Sequence, residues 1–184
     1  SYTITGLNTA TTYYTAVSAY DSDGNESWVS TNVTATAQSV PVKLGFTTQP
    51  AGPSAGALGT QPVVMVQDFD GNTFTSSSAA VTLAVTSGDG TLIGTTIVNA
   101  VNGVATFTDL AINTADDGYV LRATSAGLTS ATSDAFNLAA GTATQLVYTT
   151  QPADSTSGDL LSTQPVVTIQ DAVGNVVTDS SATV

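Results

Sequence analysis

The chain contains no cysteine and no histidine, and only two of its 184 residues are lysine or arginine. The first two absences exclude a histidine-based catalytic triad, a thiol nucleophile and a zinc site built from nitrogen and sulfur ligands. Two basic residues cannot neutralise a row of phosphates, so we expect no nucleic-acid partner. The sequence has no run of 18 apolar residues, and we therefore expect no membrane insertion.

Acidic and hydroxyl-bearing residues dominate what is present. The formal net charge is −12, and 34 Thr and 19 Ser together make up 53 residues. Thr, Val and Ile favour strands, so this composition predicts an acidic β-protein. The chain begins with Ser1-Tyr2-Thr3-Ile4, without methionine or a charged-then-apolar leader. We therefore expect a processed chain or part of a longer one.

An internal repeat organises most of the chain. Residues Leu44–Val81 match Leu146–Val184 with a single inserted residue, at an offset of 102 in the first half and 103 in the second. Thr-Thr-Gln-Pro, Gln-Pro-Val-Val and Gln-Asp-x-x-Gly-Asn occur in both copies. A period of about 100 residues is too long for a solenoid repeat and fits one β-sandwich domain per repeat.

Seven apolar stretches separated by turn dipeptides predict an antiparallel sandwich in the complete repeat. The stretches are Leu44–Thr48, Pro62–Gln67, Ala80–Thr86, Thr95–Val101, Val104–Ile112, Tyr119–Thr124 and Ala135–Ala139. Asn102-Gly103 predicts a two-residue hairpin turn. Period-two alternation predicts six core side chains, with Val63 and Ala105 facing outward or packed at the rim. The six are Val64, Val66, Leu83, Phe107, Leu121 and Phe136.

The tripeptide Thr-Gln-Pro occurs four times in the chain. It ends at Pro50, Pro62, Pro152 and Pro165. Proline lacks the N–H that a central strand needs. The pattern therefore predicts that Pro50 ends the first strand and Pro62 opens the second, rather than a recognition motif.

The first 38 residues differ from the repeat. A leucine, a Thr-x-Tyr corner, an alternating strand, a polar hairpin and a last strand follow one another, with Leu7, Tyr13, Val17 and Ala19 at the key positions. This order resembles the second half of a fibronectin type III domain. The resemblance implies that Tyr13 is a corner tyrosine, with its ring in the core and its hydroxyl bonded to nearby backbone.

Residues 42–140 and 142–184 resemble bacterial immunoglobulin-like repeats, which occur in tandem in large surface and secreted proteins, including adhesins of the invasin–intimin kind. The resemblance rests on the Thr-Gln-Pro opening, the Gln-Asp-x-x-Gly-Asn turn and the stretch Gly103-Val104-Ala105-Thr106-Phe107-Thr108. It implies an extracellular or cell-surface location in a bacterium and identifies no ligand.

We therefore expect an all-β chain of tandem antiparallel β-sandwich domains. Residues 1–38 are predicted to be the C-terminal part of a fibronectin type III-like domain. Residues 42–140 are predicted to be a complete immunoglobulin-like domain, and residues 142–184 the N-terminal part of a second one.

Two acidic clusters carry oxygen ligands of the kind that calcium prefers. Asp21-Ser22-Asp23-Gly24-Asn25-Glu26 lacks the later ligands of an EF-hand loop, and a polar hairpin that uses Asp-Gly for positive φ is the alternative. In the second cluster, Asp68, Asp70 and Asn72, the repeat replaces Asp70 by Val173. That loss favours a turn over a metal site. We expect no cofactor, with Ca²⁺ as the alternative.

No catalytic site is expected, and the chain is predicted not to be an enzyme. Asp116-Asp117 could do acid–base chemistry only in a pocket with suitable walls, which the sequence does not indicate. Trp28 could stack on a sugar or cover an interdomain seam, and the lack of a neighbouring aromatic favours the seam. Lys43 could form an isopeptide cross-link, but the aligned Gln145 cannot.

The sequence favours a structural role, as a stiff spacer, stalk or filament-forming module of a large bacterial extracellular or cell-surface protein. The linkers Gln38–Val42 and Gly141–Thr142 are too short to act as floppy tethers. The alternative is a binding module: an adhesin domain, or an accessory carbohydrate-binding domain of a secreted enzyme. The expected partners are neighbouring copies or flanking domains of the same protein, and for the alternative a cell-surface glycan or protein.

Both end segments are expected to be partial domains whose apolar inner faces are partly wet. The side chains concerned are Tyr2, Ile4, Leu7, Val17, Val167 and Ile169. We expect both ends to be ordered and paired with chain outside this segment. That chain is either a continuation of the same polypeptide or a strand from a neighbouring molecule.

Overall fold

The computed structural model describes residues 3–8 and 11–181, and all regular elements in this part are β-strands. The predicted all-β class is therefore confirmed. The strands are β1 Thr12–Thr15, β2 Val33–Thr36, β3 Lys43–Thr48, β4 Gly56–Ala57, β5 Val63–Gln67, β6 Ala80–Ser87, β7 Leu92–Ile93, β8 Ile97–Asn99, β9 Val104–Thr106, β10 Ala111–Ile112, β11 Asp116–Thr124, β12 Ala131–Thr132, β13 Phe136–Leu138, β14 Gln145–Thr150 and β15 Val166–Gln170. No helix that could span a membrane occurs among the described residues.

We call residues 42–140 the central unit. One of its sheets has the strand order β3-β5-β9, and the other has the order β12-β11-β6-β8 with β13 also paired to β11. A small third sheet, β4-β10-β7, lies beside them. All these strand pairs are antiparallel. Buried side chains from both larger sheets form one core cluster, as a β-sandwich requires.

The core of the central unit contains all six side chains predicted for it. The prediction for Ala105 is wrong, because this residue is fully buried. Ala105 lies directly opposite Val64 and two positions before Phe107 in the antiparallel ladder, and residues two apart share a face. Val63 is half-buried at the rim, as predicted.

The predicted stretch Val104–Ile112 is divided by the structure into two strands, β9 and β10. The chain leaves the first sheet after Thr106 and reaches the small third sheet at Ala111. Between them the Leu110 N–H donates to Oε1 of Gln61 at 3.0 Å. The Gln61 side chain therefore fixes this corner together with the backbone bond from the Leu58 N–H to the Leu110 carbonyl at 3.0 Å.

The Asn102-Gly103 hairpin is confirmed. Val101 and Val104 exchange backbone hydrogen bonds of 2.8 and 3.0 Å. Asn102 and Gly103 both have positive φ, at 52° and 78°, as the favoured two-residue turn requires. The turn connects β8 of one large sheet to β9 of the other.

The first and last segments of the central unit run side by side in parallel. The Thr129 N–H donates to the Val42 carbonyl at 2.9 Å, and the Thr129 carbonyl accepts from the Leu44 N–H at 2.9 Å. Further along, the Ala55 N–H donates to the Ala139 carbonyl at 2.8 Å. The two segments are thus bonded at both ends of their shared path.

The N-terminal ribbon, residues 3–8 and 11–38, consists of β1 paired antiparallel with β2. The hydroxyl oxygen of Tyr13 accepts a hydrogen bond from the Asn8 N–H at 2.7 Å, so the predicted bond between the Tyr13 hydroxyl and nearby backbone is confirmed. Its ring is only half-buried. Ile4, Leu7 and Val17 are exposed, as expected for a partial domain, whereas Tyr2 lies outside the described residues.

The C-terminal segment, residues 142–181, repeats the start of the central unit. Leu146 lies opposite Ile169 in β14–β15, as Leu44 lies opposite Val66 in β3–β5. The second edge of β5 is paired with β9, whereas β15 has no further strand among the described residues. Consequently Val167 and Ile169 are only half-buried, while Val66 is fully buried.

Candidate interdomain joint

The repeated sequence Gln-Asp-x-x-Gly-Asn folds into a tight turn after β5 and again after β15. We call Gln67–Asn72 the first turn and Gln170–Asn175 the second turn. The backbone N–H of the asparagine donates to the aspartate carboxylate at 2.9 Å, both at Asp68 and at Asp171. The glycine before each asparagine has a positive φ, 89° in the first turn and 97° in the second. Aspartate and glycine therefore close the turn, since residues with a Cβ disfavour this φ.

Each turn also binds the linker that leads into its own unit. The Ser39 hydroxyl donates to Oδ2 of Asp68 at 3.1 Å. In the second copy, the backbone N–H of Gly141 donates to Oδ2 of Asp171 at 2.8 Å. The two aspartates are 4% and 2% exposed. A buried carboxylate thus clamps the linker at both junctions.

The glutamine before each aspartate extends this clamp through its backbone. The Val42 N–H donates to the Gln67 carbonyl at 2.9 Å, and the Thr144 N–H donates to the Gln170 carbonyl at 2.9 Å. These bonds continue the ladders of β3–β5 and β14–β15 into the linkers. The chain is therefore held against the sheet at the point where each linker meets the unit that follows it.

The residue after Val42 and the residue after Thr144 each add a side-chain contact with the turn. Lys43 Nζ donates to the Phe69 carbonyl at 3.3 Å, and Gln145 Nε2 donates to the Asp171 carbonyl at 2.9 Å. Although one aligned side chain is charged and the other neutral, both bind the backbone of the turn. This contact gives Lys43 a structural role without any cross-link.

Hydrogen bonds keep the two clamping carboxylates ionised. Burial by itself would raise the pKa of Asp171, but bonds from the Asn175 side chain and from backbone N–H groups, including that of Gly141, lower it from 3.8 to about 2. Burial likewise opposes ionisation of Asp68, and hydrogen bonds from its turn and its linker lower the pKa of that carboxyl. A carboxylate that accepts several hydrogen bonds is stabilised in its charged form.

Asn175 connects the second turn to the central unit. Its Oδ1 accepts a hydrogen bond from the Ala115 N–H at 2.9 Å, and its Nδ2 donates to the Asn113 carbonyl at 2.8 Å. The same Nδ2 donates to Oδ2 of Asp171 at 2.9 Å. Residues 113–115 belong to the loop between β10 and β11. One side chain therefore joins the turn of one unit to the loop of the unit before it.

The equivalent side chain in the first turn makes no such contact within residues 3–8 and 11–181. Asn72 Nδ2 lies 3.4 Å from Oδ2 of Asp68, and the residue is exposed, whereas Asn175 is half-buried. The first turn therefore binds its linker but not the ribbon that precedes it.

The acidic hairpin of the ribbon is stabilised by its own aspartate. Oδ1 of Asp21 accepts hydrogen bonds from the N–H groups of Asp23 and Asn25, both at 2.9 Å, and Oδ2 accepts from Asn25 Nδ2 at 2.9 Å. These bonds, above all that from the Asn25 side chain, lower the pKa of Asp21. Gly24 has a φ of 83°, so the polar-hairpin interpretation accounts for the geometry. In the described part of the chain, no three His, Cys, Asp or Glu residues are grouped to hold a metal ion.

The Asp116 carboxylate binds backbone groups at the start of β11. Asp116 accepts hydrogen bonds from the N–H groups of Asp89 and Asp117, at 2.9 and 2.8 Å, and so caps two backbone groups.

The prediction that Trp28 covers an interdomain seam is wrong, because this residue is 98% exposed. Trp28 follows the hairpin, and the chain runs on through β2 before it reaches the linker.

The Thr-Gln-Pro tripeptides have the predicted structural role in the central unit. Pro50 follows the end of β3, and Pro62 directly precedes β5. Gln61 Nε2 donates to the carbonyls of Leu58 and Leu110, at 3.0 and 2.9 Å, while its Oε1 accepts the Leu110 N–H. The glutamine thus secures the corner next to the strand that the proline opens.

Ser39, Gly141 and Asn175 were not predicted to be joint residues. The two linker residues donate with different groups, since Ser39 uses its hydroxyl and Gly141 its backbone N–H. No shared residue type therefore marks the linker contact in the sequence. The available signal was spacing, since the linker donor precedes the clamping aspartate by 29 residues in one copy and 30 in the other.

The chain matches no protein-family model, and no curated protein matches it. What the chain does is therefore inferred from the joint and from the sequence pattern.

Proposed function

We propose that the chain is a structural segment of a large bacterial extracellular or cell-surface protein, acting as a stiff spacer, stalk or filament-forming module. In this proposal the ribbon belongs to a fibronectin type III-like unit. The central unit and the C-terminal segment are tandem immunoglobulin-like β-sandwich repeats. The observation that carries the proposal is the clamping of each linker by a buried aspartate.

A clamped linker sets the spacing between units. Flexible linkers behave as random coils whose end-to-end distance varies widely. Here the linker is bonded to the turn at Ser39 and Val42 before the first unit, and at Gly141 and Thr144 before the second. Because these bonds lie only three residues apart, the linker has little freedom to change length.

The negative charge of the chain is compatible with a rod that lies beside other copies of the same protein. Fourteen acidic residues face only two basic ones, so neighbouring rods repel one another. Salt screens such repulsion over a Debye length of about 10 Å at 0.1 M. The repulsion therefore keeps rods soluble and apart, and ionic strength adjusts it.

Small-angle X-ray scattering of the full chain tests the spacer proposal. We expect the profile of an extended particle with a defined maximum dimension. The double variant Asp68→Ala/Asp171→Ala should give a more variable particle, because both linkers lose their clamp. Asp154→Ala/Asp159→Ala is the matched control, since it removes the same charge from two exposed positions of the C-terminal segment.

Two results would contradict the proposal. One is a wild-type profile typical of a flexible chain. The other is a clamp variant that scatters as the charge-matched control does.

A binding module is the second candidate, and exposed aromatic side chains in the ribbon favour it. Tyr14, Tyr20 and Trp28 are 71%, 66% and 98% exposed. Aromatic rings of this kind can stack on sugars or pack against a protein partner. Binding to a glycan array by the full chain, lost in Trp28→Ala and kept in Phe69→Ala, would support this candidate, since Phe69 is also exposed, at 79%, but lies in the central unit.

A further inference from the structure

We infer that the second turn is a docking surface for the backbone of a preceding unit of the same fold, and that the first turn is the same surface, which no loop of the described residues occupies. This inference rests on the proposed spacer function. It implies that the two junctions differ in stiffness. Both hold their spacing, but only the second also holds the angle between the units.

The chemistry of the asparagine amide makes the surface specific. The amide offers an acceptor oxygen and an NH₂ donor. An ionised carboxylate only accepts hydrogen bonds, so Asp171 turns the NH₂ of Asn175 toward itself. The amide oxygen is then presented to the neighbouring unit with its orientation already fixed. The low pKa of Asp171 keeps this arrangement intact at neutral pH.

The partner that fits this surface is a loop that presents a carbonyl and, two residues later, an N–H. The loop at residues 113–115 presents these groups through Asn113 and Ala115. No side chain of the loop takes part in these two bonds. Any unit whose loop has the same backbone shape can therefore dock, which allows repeats of different sequence to be stacked in one chain.

The first turn has the same surface, but no loop among residues 3–8 and 11–38 binds it. Asn72 is oriented by Asp68 in the same way, more loosely at 3.4 Å, and it is exposed to solvent. Among the described residues of the ribbon, none donates to or accepts from its amide. In the described part of the chain, the linker bonds of Ser39 and Val42 are therefore the contacts that hold the first turn to the preceding chain.

Electron spin resonance distance measurements test the difference in stiffness. The chain has no cysteine, so pairs of introduced cysteines can be spin-labelled without background. Ala84→Cys with Thr149→Cys reports on the second junction, and Thr34→Cys with Ala84→Cys reports on the first. All three residues are exposed and lie in strands. In the wild-type background we expect a narrow distance distribution for the second junction and a broader one for the first.

Two asparagine variants then isolate the docking contact. Asn175→Ala should broaden the distribution of the second junction until it resembles that of the first. Asn72→Ala is the matched control, because it removes the same amide and the same bond within the turn, and it should leave both distributions unchanged. Circular dichroism checks that each variant is folded. If Asn175→Ala is not, Asn175→Asp retains the shape and one acceptor, removes the donor to Asn113, and should broaden the same distribution.

The outcomes separate this inference from the spacer proposal. Equally narrow distributions at both junctions, or no response to either Asn175 variant, would overturn the inference and leave the spacer intact. Broad distributions at both junctions would overturn the spacer proposal as well.

Discussion

The Tyr119 hydroxyl donates a hydrogen bond to the Thr114 carbonyl at 3.0 Å, in the middle of the loop that Asn175 binds. The Tyr119 ring is fully buried and packs against Phe136, with ring centroids 5.8 Å apart. A residue of the hydrophobic core therefore holds the loop in the shape that presents its flanking backbone groups to the next unit. This bond connects the core to the loop that Asn175 binds.

Replacing Tyr119 by phenylalanine should weaken both the core and the joint. The lost hydrogen bond should lower the free energy of unfolding by about 1 kcal/mol, measured by urea denaturation. The distance distribution between labels at Ala84 and Thr149 should broaden, while that between Thr34 and Ala84 should not change. Tyr14→Phe, at an exposed tyrosine of the ribbon, is the control and should alter neither quantity. An unchanged joint in Tyr119→Phe would show that the loop keeps its shape without this bond.

Acid should release the second linker clamp. The pKa of Asp171 is 3.8 in the unfolded reference and about 2 in the folded chain, so its contribution to stability is complete above about pH 4 and is lost as the pH falls toward 2. Urea midpoints measured from neutral pH down to pH 2 should decline across this window in the wild type. Asp171→Asn cannot titrate and should decline less, whereas Asp159→Asn should follow the wild type. Equal declines in all three proteins would refute the linkage.

Replacing Gly103 of the Asn102-Gly103 hairpin by alanine should lower the free energy of unfolding more than replacing Gly127, a glycine with a similar φ. A Cβ on Gly103 would lie 2.5 Å from the Phe74 carbonyl oxygen, whereas a Cβ on Gly127 would have nothing within 4 Å. Their φ angles are 78° and 74°. Gly127→Ala should therefore cost about 1–2 kcal/mol from backbone strain alone, and Gly103→Ala clearly more. Equal losses in urea denaturation would mean that the Phe74 backbone moves aside freely.

Gln61→Ala should destabilise the central unit by about 1–3 kcal/mol, because it leaves buried backbone groups without partners. The Leu110 N–H loses its acceptor, and Leu110 is fully buried. Gln164, the aligned residue of the second copy, is exposed and makes one bond of 3.2 Å, to the Leu161 carbonyl. Gln164→Ala is therefore the control and should cost much less in urea denaturation. A similar loss in both variants would indicate that burial of Leu110 does not matter here.

Local sequence patterns predicted the longer strands of the central unit and six of its sixteen buried core side chains, but not the short strands β4, β7 and β12. Alternation placed Val64 and Val66 inward because they lie on a strand with one buried face, and Phe107 inward because it directly follows such a strand. The same alternation, applied consistently, places Ala105 inward with Phe107, and the prediction for Ala105 failed because a small residue was taken as a sign of exposure. The hairpin at Asn102-Gly103 was predictable since its turn type depends on two adjacent residues.

The joint was not predictable in the same way, because its contacts connect residues far apart in the chain. The aspartate of the repeated turn was recognised, but its second carboxylate oxygen binds a linker about thirty residues earlier. Asn175 reaches a loop 60 residues before it. Aligned positions also differ in environment, since Asn72 and Asn175 have the same sequence context but only one has a neighbour to bind.

The parallel bridges of the central unit determine how it responds to stretching. Its first segment, from Val42 to Ala55, and its last segment, from Thr129 to Ala139, lie side by side and point the same way. Tension applied at the two ends therefore slides one segment along the other, and the bonds that join them are strained together instead of opening one at a time. We therefore expect a high barrier to forced unfolding, which governs the rate of rupture, when the unit is pulled by its two ends.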